Sequence, residues 1–456
     1  MKKIERRALI CKLLAILLAA GCVLFAVRWF VSGGRWASAA FNRHLYNTAG
    51  QLAAGTVLDR DGDALSWVNS AGERTYYDNE TVRKATLHVV GDLQGSIGTG
   101  ALNAFADKLT GYNRVNGAFG ARQGGELYLT IDARYNYEAY RALNGRAGTV
   151  AVYNYRTGEI LCLVSAPSYD PLHVPADIET NDRYQGAYLN RFLSSTFPPG
   201  SVFKTVTLAA AIEKIPDLMS RTWTCEGSVD IGGETIVCSG THGEENIYQA
   251  MANSCNVAFA QIANEVGASA LEKYTRQAGL TDSYSIDGLS TARGTFAFSG
   301  ISAGELGWAG VGQGQDLVNP CSLMVYMGAI ANGGKAALPR IIDKTVSALG
   351  LSNPIHVTRQ TGTLIRSSTA ELVADMMANN VADTYGTRRF PNMDLCAKSG
   401  TAEVGEGQQP HAWFAGFLRN EDAPYAFVVL VENGGGGSAA AGTVAGKVLD
   451  VMVNGY

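Results

Sequence analysis

The chain has 456 residues, of which 46% are hydrophobic and 17% are charged, and its formal net charge at pH 7 is -4. A chain of this length and composition can bury one large hydrophobic core and a smaller module. The slightly acidic balance gives no electrostatic reason to bind nucleic acid, so we expect no nucleic-acid partner.

The amino terminus combines a basic segment with a long apolar run. Four basic side chains lie among the first seven residues, and about 20 mostly apolar residues, interrupted by Lys12, follow them. A run of that length spans a bilayer when the Lys12 ammonium extends to the interface. The positive-inside rule then predicts a cytoplasmic tail at 1–7, a single-pass anchor at 8–31 and an extracytoplasmic remainder.

A cleaved signal peptide is the alternative for this segment. Ala37-Ser38-Ala39 has the small-x-small pattern of a cleavage site. The apolar run is longer than an ordinary signal-peptide core, and Arg28 and Arg35 separate it from that site. We therefore favour a retained anchor in the cell membrane.

Beyond the anchor, the sequence pattern changes near residue 148. Residues 32–147 mix short strand-like runs with glycine and polar turns, which predicts a small module. Residues 148–456 combine apolar strand pairs with helical patterns, which predicts an α+β domain. Its strands and last helix are expected, in chain order, at 148–155, 157–167, 411–418, 425–432 and 438–453.

The first candidate catalytic motif is residues 201–204 (SVFK), of the form S-x-x-K. The preceding Pro-Pro-Gly cannot continue a helix, whereas 201–214 carries apolar residues at helical spacing, so Ser201 is expected at a helix N-terminus. Lys204 then lies one turn later on the same face, where burial or a second cation would let it act as a neutral base. Alone, the pattern is also that of a capping serine beside a solvated lysine.

The second motif, Ser254-Cys255-Asn256, has the form S-x-N. On extended or irregular backbone, residues two apart point the same way, so Ser254 and Asn256 could face one cleft as a proton relay and a substrate hydrogen-bonder. The alternative is a helix cap formed by the local Asn-Ser pair, and both interpretations can hold together.

The third motif, Lys398-Ser399-Gly400-Thr401, has the form K-[ST]-G and precedes a predicted antiparallel hairpin. On a strand edge, Gly400 would let a substrate backbone approach closely, Lys398 would supply positive charge and Thr401 a hydroxyl.

The cysteines suggest structural roles. Cys225 and Cys238 bracket a glycine-rich loop outside the cell and could form a disulfide, which would contribute roughly 3 kcal/mol for a loop of this size. Cys255 has no histidine in its local sequence, so we expect a packed thiol and not a nucleophile. Buried thiols are also expected at Cys162, Cys321 and Cys396.

The sequence predicts neither a cofactor nor a metal. Its six histidines form no H-E-x-x-H, and His242, which precedes two glutamates, has no second histidine one turn later. The glycine-rich run at 310–315 lacks the G-x-G-x-x-G spacing, and no phosphate-binding G-x-x-x-x-G-K-[ST] loop occurs.

In this order, the three motifs resemble those of penicillin-binding proteins, specifically class B peptidoglycan D,D-transpeptidases of the cell-division or elongation type. Residues 55–64 (GTVLDRDGDA), 126–171 and 312–334 also resemble segments of that family. The resemblance covers nearly the whole chain beyond the membrane segment.

The resemblance implies a fold and a domain organisation. An antiparallel sheet would lie between helices, with an all-helical lobe that holds the S-x-N motif, as in the penicillin-binding-protein and β-lactamase-like fold. Residues 32–147 would form a shortened, non-catalytic pedestal, and 148–456 would form the transpeptidase domain.

It also implies a role for each motif residue. Ser201 would attack the penultimate D-Ala carbonyl of a stem peptide, Lys204 would take its proton, and Ser254 would pass a proton to the leaving amine. Backbone N–H groups of Ser201 and Thr401 would stabilise the oxyanion. The substrate-binding residues would be Asn256, Lys398, Ser399, Gly400 and Thr401.

The implied partners are peptidoglycan stem peptides on lipid-linked glycan strands, β-lactam antibiotics and a polytopic membrane glycosyltransferase, because no segment here resembles a glycosyltransferase domain. Two alternatives stay open. A D,D-carboxypeptidase or a β-lactam-hydrolysing enzyme would share the motifs. A non-enzymatic activator of a glycosyltransferase would be expected to carry a broken motif, and all three are intact.

Overall fold

The computed structural model describes residues 2–38, 45–47, 50–112, 117, 124–347, 350–353, 357–405 and 407–455.

The helices in the described part of the chain are α1 (Lys2–Ala37), α2 (Glu80–Val90), α3 (Ala101–Ala104), α4 (Ala106–Leu109), α5 (Ala133–Leu143), α6 (Arg191–Ser194), α7 (Lys204–Lys214), α8 (Ile247–Ala252), α9 (Asn256–Val266), α10 (Ala268–Gln277), α11 (Ala303–Gly310), α12 (Pro320–Ala331), α13 (Ser367–Asn380) and α14 (Gly437–Asn454).

The strands are β1 (Thr56–Leu58), β2 (Ala64–Val68), β3 (Arg74–Tyr76), β4 (Glu126–Leu129), β5 (Gly148–Asn154), β6 (Ile160–Ala166), β7 (Thr222–Cys225), β8 (Ser228–Ile231), β9 (Glu234–Val237), β10 (Gly243–Asn246), β11 (Ser285–Ile286), β12 (Leu289–Ser290), β13 (Ile342–Val346), β14 (Ser352–Asn353), β15 (Leu395–Ala402), β16 (His411–Leu418) and β17 (Tyr425–Val431).

Helix α1 contains the predicted anchor at 8–31. Among the described residues it is the one helix long and apolar enough to cross a membrane, with a mean hydropathy of 2.6 and none of its apolar window buried. Residue 39 of the alternative cleavage site lies outside the described residues.

The central element is a five-stranded antiparallel sheet in the order β15-β16-β17-β5-β6. Its strands read as continuous apolar runs because both faces are covered. Alternate residues of β17 show this: Val428 and Leu430 belong to the core that includes α12, whereas Val429 packs with α5 and α14. The predicted strand pair, hairpin and terminal helix are confirmed, as is the α+β sandwich that the resemblance implied.

A helical lobe built around α7, α9, α10 and α11 packs on the α12 side of the sheet. Helix α13 connects the two parts, because it contacts α7 and α8 in the lobe and β15 at the edge of the sheet. The edge strand β15 therefore faces the helical lobe, and a cleft opens where they meet.

A second sheet has six strands in the order β14-β13-β4-β1-β2-β3. Most of it comes from the small amino-terminal module, with β1 parallel to β4. Strands β13 and β14 arrive from the later part of the chain, and β13 pairs antiparallel with β4. This shared sheet ties the amino-terminal segment to the segment that follows α12.

A buried ion pair ties the amino-terminal module to the central sheet. Arg83 on α2 binds Asp170, which follows β6, through two N–H···O contacts of 2.7 Å each. Both side chains are less than a tenth exposed. Burial would raise the pKa of Asp170, but the hydrogen bonds to its carboxylate, chiefly from Arg83, outweigh that effect and lower the pKa to about 2. The pair is therefore charged at neutral pH and fixes α2 against the central sheet.

Candidate active site

Ser201 lies on a tight turn held against the edge strand. Gly200–Phe203 forms a single 3-10 turn directly before α7, so the serine is at a helix start, as predicted. The turn is fixed from behind, because Trp413 Nε1 donates a hydrogen bond to Pro198 O at 2.9 Å. Gly200 has a φ of +55°, and a Cβ there would lie 2.7 Å from Thr401 O. Glycine is therefore required for the serine turn to approach β15 this closely.

Lys204 is wholly buried one turn after Ser201. Its Nζ donates to Ser254 O at 2.5 Å and to Asn256 Oδ1 at 2.7 Å, and it lies 3.2 Å from Ser254 Oγ. The first motif is thus connected to the second through this nitrogen. Ser201 is half-buried and lines the cleft, where a substrate can reach it.

The S-x-N motif occupies the turn between α8 and α9. Ser254 has a φ of +55°, a left-handed conformation that non-glycine residues seldom adopt, and this directs its hydroxyl toward the two lysines. The expected cap is present but comes from another residue: Cys255, and not the Asn-Ser pair, caps α9 by accepting the Ala258 N–H at 3.4 Å. Asn256 uses Nδ2 to hold Val237 O at 2.9 Å and Oδ1 to hold Lys204.

Lys398 completes the group from the edge strand β15. It is wholly buried, and its Nζ lies 2.9 Å from Ser254 Oγ and 3.0 Å from Ser399 O. One serine hydroxyl therefore contacts two lysine nitrogens that lie 194 positions apart in the chain.

Burial sets the charge of both lysines. It lowers the pKa of Lys204 to about 8. Burial, together with the nearby charge of Lys204, holds the pKa of Lys398 well below its usual value. Because each ammonium disfavours the other, the neutral form of a lysine is accessible here near neutral pH.

The residues after Lys398 form one wall of the cleft. Thr401 Oγ1 accepts the N–H of Gly437 at 3.2 Å, and no residue in the described part of the chain accepts its hydroxyl hydrogen, which can therefore bind a ligand. Gly400 packs closely against the serine turn. A Cβ there would lie 3.1 Å from Pro199 O, so its missing side chain admits the serine turn.

The cleft itself has a volume of about 850 Å³. It brings the side chains of all three motifs to one surface, with Lys204 and Lys398 buried behind it. Motif residues on this surface are Ser201, Ser254, Asn256, Ser399 and Thr401, and other lining residues include Trp308, Gln313, Asp316 and Glu403.

Two functional candidates were missed by sequence reasoning. Tyr385, at the end of the π-helical turn Val381–Tyr385, accepts the Ser399 N–H at 2.8 Å and donates to Ser399 Oγ at 3.0 Å. Asp316 lines the cleft, and burial raises its pKa to about 7. Neither residue belongs to a motif, so only the folded chain reveals them.

The predicted disulfide between Cys225 and Cys238 is not formed, since both are free thiols. Cys238 Sγ instead accepts the Asn256 N–H at 3.2 Å and lies 3.9 Å from Cys255 Sγ. Cys255 is buried, as expected for a packed thiol. Two loops and the start of α9 thus bring these thiols together in a way that sequence separation does not show.

The fold and the three clustered motifs define a serine acyltransferase of the penicillin-binding class. The chain belongs to the family described as "Penicillin binding protein transpeptidase domain", which matches residues 148–450.

Peptidoglycan D,D-transpeptidases are among the proteins similar to this chain. Peptidoglycan D,D-transpeptidase PbpA of Mycolicibacterium smegmatis is 28% identical over 379 residues, which cover 75% of this chain and 74% of the relative. A solved D,D-transpeptidase domain of a peptidoglycan glycosyltransferase from Eggerthella lenta is 27% identical, with a TM-score of 0.76 over 88% of this chain and 99% of that one.

An acyl-enzyme complex is also among the similar structures. Penicillin-binding protein A from M. tuberculosis with ceftriaxone is 25% identical and has a TM-score of 0.78 over 88% of this chain and 98% of that one.

Replacing Tyr385 by Phe removes the acceptor of the Ser399 N–H. Leaving that group unpaired is expected to lower the free energy of unfolding by about 1–3 kcal/mol. Chemical denaturation of the purified protein measures the change.

The matched control is Tyr153→Phe, because the buried Tyr153 hydroxyl has no partner among the described residues. That variant is expected to be at least as stable as the wild type. Equal stability of Tyr385→Phe and Tyr153→Phe would show that the Tyr385 hydroxyl does not hold β15.

Proposed function

We propose that this chain is a membrane-anchored peptidoglycan D,D-transpeptidase that cross-links stem peptides through a serine acyl-enzyme and is acylated by β-lactams. The observation that carries the proposal is the Ser254 hydroxyl, which contacts Lys204 and Lys398 in the cleft that also holds Ser201. Membership of the transpeptidase family and its acyl-enzyme relatives supports the same chemistry.

Ser201 is the nucleophile in this mechanism. Its Oγ forms a bond to the carbonyl carbon of the penultimate D-Ala while its proton passes to Lys204. Lys204 can accept that proton when neutral: Ser254 O and Asn256 Oδ1 take its two N–H donors, and its lone pair remains. The buried position keeps this neutral form accessible.

Ser254 carries the proton onward. When the C–N bond of the peptide breaks, the leaving D-Ala amine needs a proton, and the Ser254 hydroxyl lies between the two lysine nitrogens that can resupply it. An amine from a neighbouring stem peptide then attacks the ester carbon, the bond to Ser201 Oγ breaks, and the serine regains its proton.

The remaining motif residues bind and orient. Thr401 would hold the terminal carboxylate with its free hydroxyl hydrogen, and the backbone N–H groups of Ser201 and Thr401 would stabilise the oxyanion. Asn256 has one Nδ2 hydrogen left after its bond to Val237 O, which suits it to a peptide carbonyl. Lys398 would supply electrostatic stabilisation, and Ser399 would line the substrate strand.

The membrane arrangement follows from the charge pattern of α1. We propose that 1–7 is cytoplasmic, that 8–31 spans the membrane, and that the pedestal at 32–147 and the transpeptidase domain at 148–456 lie outside the cell. A polytopic glycosyltransferase would then supply glycan strands, with contacts through the span and the pedestal.

Mass spectrometry of the intact protein tests the central assignment. Penicillin should add one covalent adduct to the wild type and none to Ser201→Ala, because the adduct is an ester of Ser201 Oγ. The control is Ser239→Ala, which removes another serine hydroxyl lining the same cleft and should keep the adduct.

A D-Ala-D-Ala peptide with an amine acceptor separates the alternatives. Amide product identifies a transpeptidase, and hydrolysis despite the amine identifies a carboxypeptidase. Rapid loss of the penicillin adduct would indicate a β-lactam-hydrolysing enzyme, and no adduct at all would indicate a non-enzymatic activator. Retention of the adduct in folded Ser201→Ala would remove Ser201 as nucleophile.

Exchange of the membrane span tests the partner. Replacing residues 8–31 with an unrelated apolar span should reduce co-purification of the glycosyltransferase and leave penicillin acylation unchanged, because none of the residues that line the cleft belongs to α1. A scrambled order of the same apolar residues is the matched control for hydrophobicity. Wild-type recovery of the partner with the unrelated span would contradict span-mediated contact.

A further inference from the structure

Four metal-ligand side chains converge beside the S-x-N turn. They are Cys225 at the end of β7, Cys238 after β9, His242 before β10 and Cys255 at the start of α9. One sulfur or ring nitrogen from each lies within 4.8 Å of all the others. Cys225 and Cys255 are buried, and Cys238 and His242 are partly buried. This cluster is separate from the lysine group, although Cys255 lies between Ser254 and Asn256 in the sequence.

The spacing of the donor atoms matches a tetrahedral zinc site. With Zn–S near 2.3 Å and Zn–N near 2.0–2.1 Å, tetrahedral geometry places two sulfurs about 3.8 Å apart and a sulfur and a nitrogen about 3.6 Å apart. Cys238 Sγ lies 3.9 Å from Cys255 Sγ and 3.7 Å from His242 Nδ1. A disulfide would require about 2.05 Å between sulfurs, and it would leave one thiol and the histidine unused.

Hydrogen bonds around the cluster favour thiolates, the form of cysteine that binds metal ions. Backbone N–H groups point at two of the sulfurs: Asn256 donates to Cys238 Sγ at 3.2 Å, and Ala258 donates to Cys255 Sγ at 3.4 Å. Such N–H···S contacts stabilise metal-bound thiolates and orient them.

A buried carboxylate lies beside the cluster. Glu245 is 1% exposed, and its Oε1 lies 3.7 Å from His242 Nδ1. It is a neighbour of the four donor residues and not one of them.

We propose that Cys225, Cys238, His242 and Cys255 bind one Zn²⁺. Three thiolates and one imidazole suit zinc, and four protein ligands form a closed, structural site with no position left for substrate. Binding releases the three thiol protons to solvent. The sequence contains the matching pattern C-x12-C-x3-H-x12-C. Because it has one histidine and long spacers, a search for paired histidines does not find it.

The ion would brace the second catalytic motif. It ties β7, the loop between β9 and β10, and the first residue before α9 to one point. Since Cys255 is a ligand and Cys238 holds the Asn256 N–H, the turn that carries Ser254 and Asn256 is fixed from behind. The four ligands are positioning residues. The proposal of a zinc site does not depend on the proposal that the chain is a transpeptidase.

Metal analysis of the full-length protein tests the proposal. The protein is produced in zinc-supplemented medium, with a histidine-free affinity tag, and purified in detergent without chelator. We expect about one zinc per chain by inductively coupled plasma mass spectrometry. His242→Ala and Cys225→Ser should lose it, whereas Cys162→Ser, a buried cysteine on β6, should retain it.

Cobalt substitution keeps the test decisive if a variant fails to fold. Wild-type protein loaded with Co²⁺ should show thiolate-to-cobalt charge transfer and the strong visible bands of a tetrahedral thiolate site. Chelation should slow penicillin acylation of the wild type, and added Zn²⁺ should restore it.

Three results would overturn the proposal. The first is zinc-free protein with a mass lower by two hydrogens and a disulfide among Cys225, Cys238 and Cys255. The second is zinc retained at full stoichiometry in folded His242→Ala and Cys225→Ser. The third is a cobalt spectrum without thiolate charge transfer.

Discussion

The site depends on two lysine side chains buried around one serine hydroxyl. An ammonium removed from water is strongly disfavoured unless hydrogen bonds or opposite charges compensate, and two ammoniums close together repel each other. Here the compensation comes from oxygen acceptors: Ser254 O and Asn256 Oδ1 for Lys204, and Ser399 O for Lys398. No carboxylate among the described residues forms an ion pair with either lysine. The arrangement therefore favours one protonated and one neutral lysine over two protonated lysines. A proton can pass between the two nitrogens through Ser254 Oγ.

This constraint explains why the fold brings its parts so close together. Lys398 reaches Ser254 only because edge strand β15 lies against the serine turn, and that approach requires glycine on several sides. Gly312 shows the same tightness, since a Cβ there would lie 2.0 Å from Gly200 O. Helix α13 and Tyr385 hold β15 from the other direction. The sheet, the lobe and the glycines thus act together to keep the two lysines buried behind the surface of the cleft.

Much of this could be predicted from the sequence. Apolar runs bounded by turns identified β5, β6, β16 and β17, and the Pro-Pro-Gly before Ser201 identified the helix start. The motif residues were found because their chemistry is carried by short local patterns. What could not be predicted depends on contacts between distant segments: β13 pairing with β4, Tyr385 below Ser399, and Cys225 near Cys255. The disulfide prediction considered only two of the thiols, whereas the fold brings Cys255 and His242 to the same point.

The pH dependence of acylation by a fluorescent penicillin tests the central claim, that a neutral Lys204 is the base. Cys238, Cys255 and Glu245 raise the pKa of Lys204, but burial outweighs them and brings it to about 8. Lys398 also faces Lys204, and the like charges disfavour a second ammonium. Because the deprotonated amine acts, the rate should rise about tenfold per pH unit below that value and level off above it. Lys204→Arg should abolish acylation, since arginine stays protonated, while Lys398→Arg should retain a measurable, pH-dependent rate. A rate independent of pH from about 6 to 9, or near-normal acylation of folded Lys204→Arg, would contradict the claim.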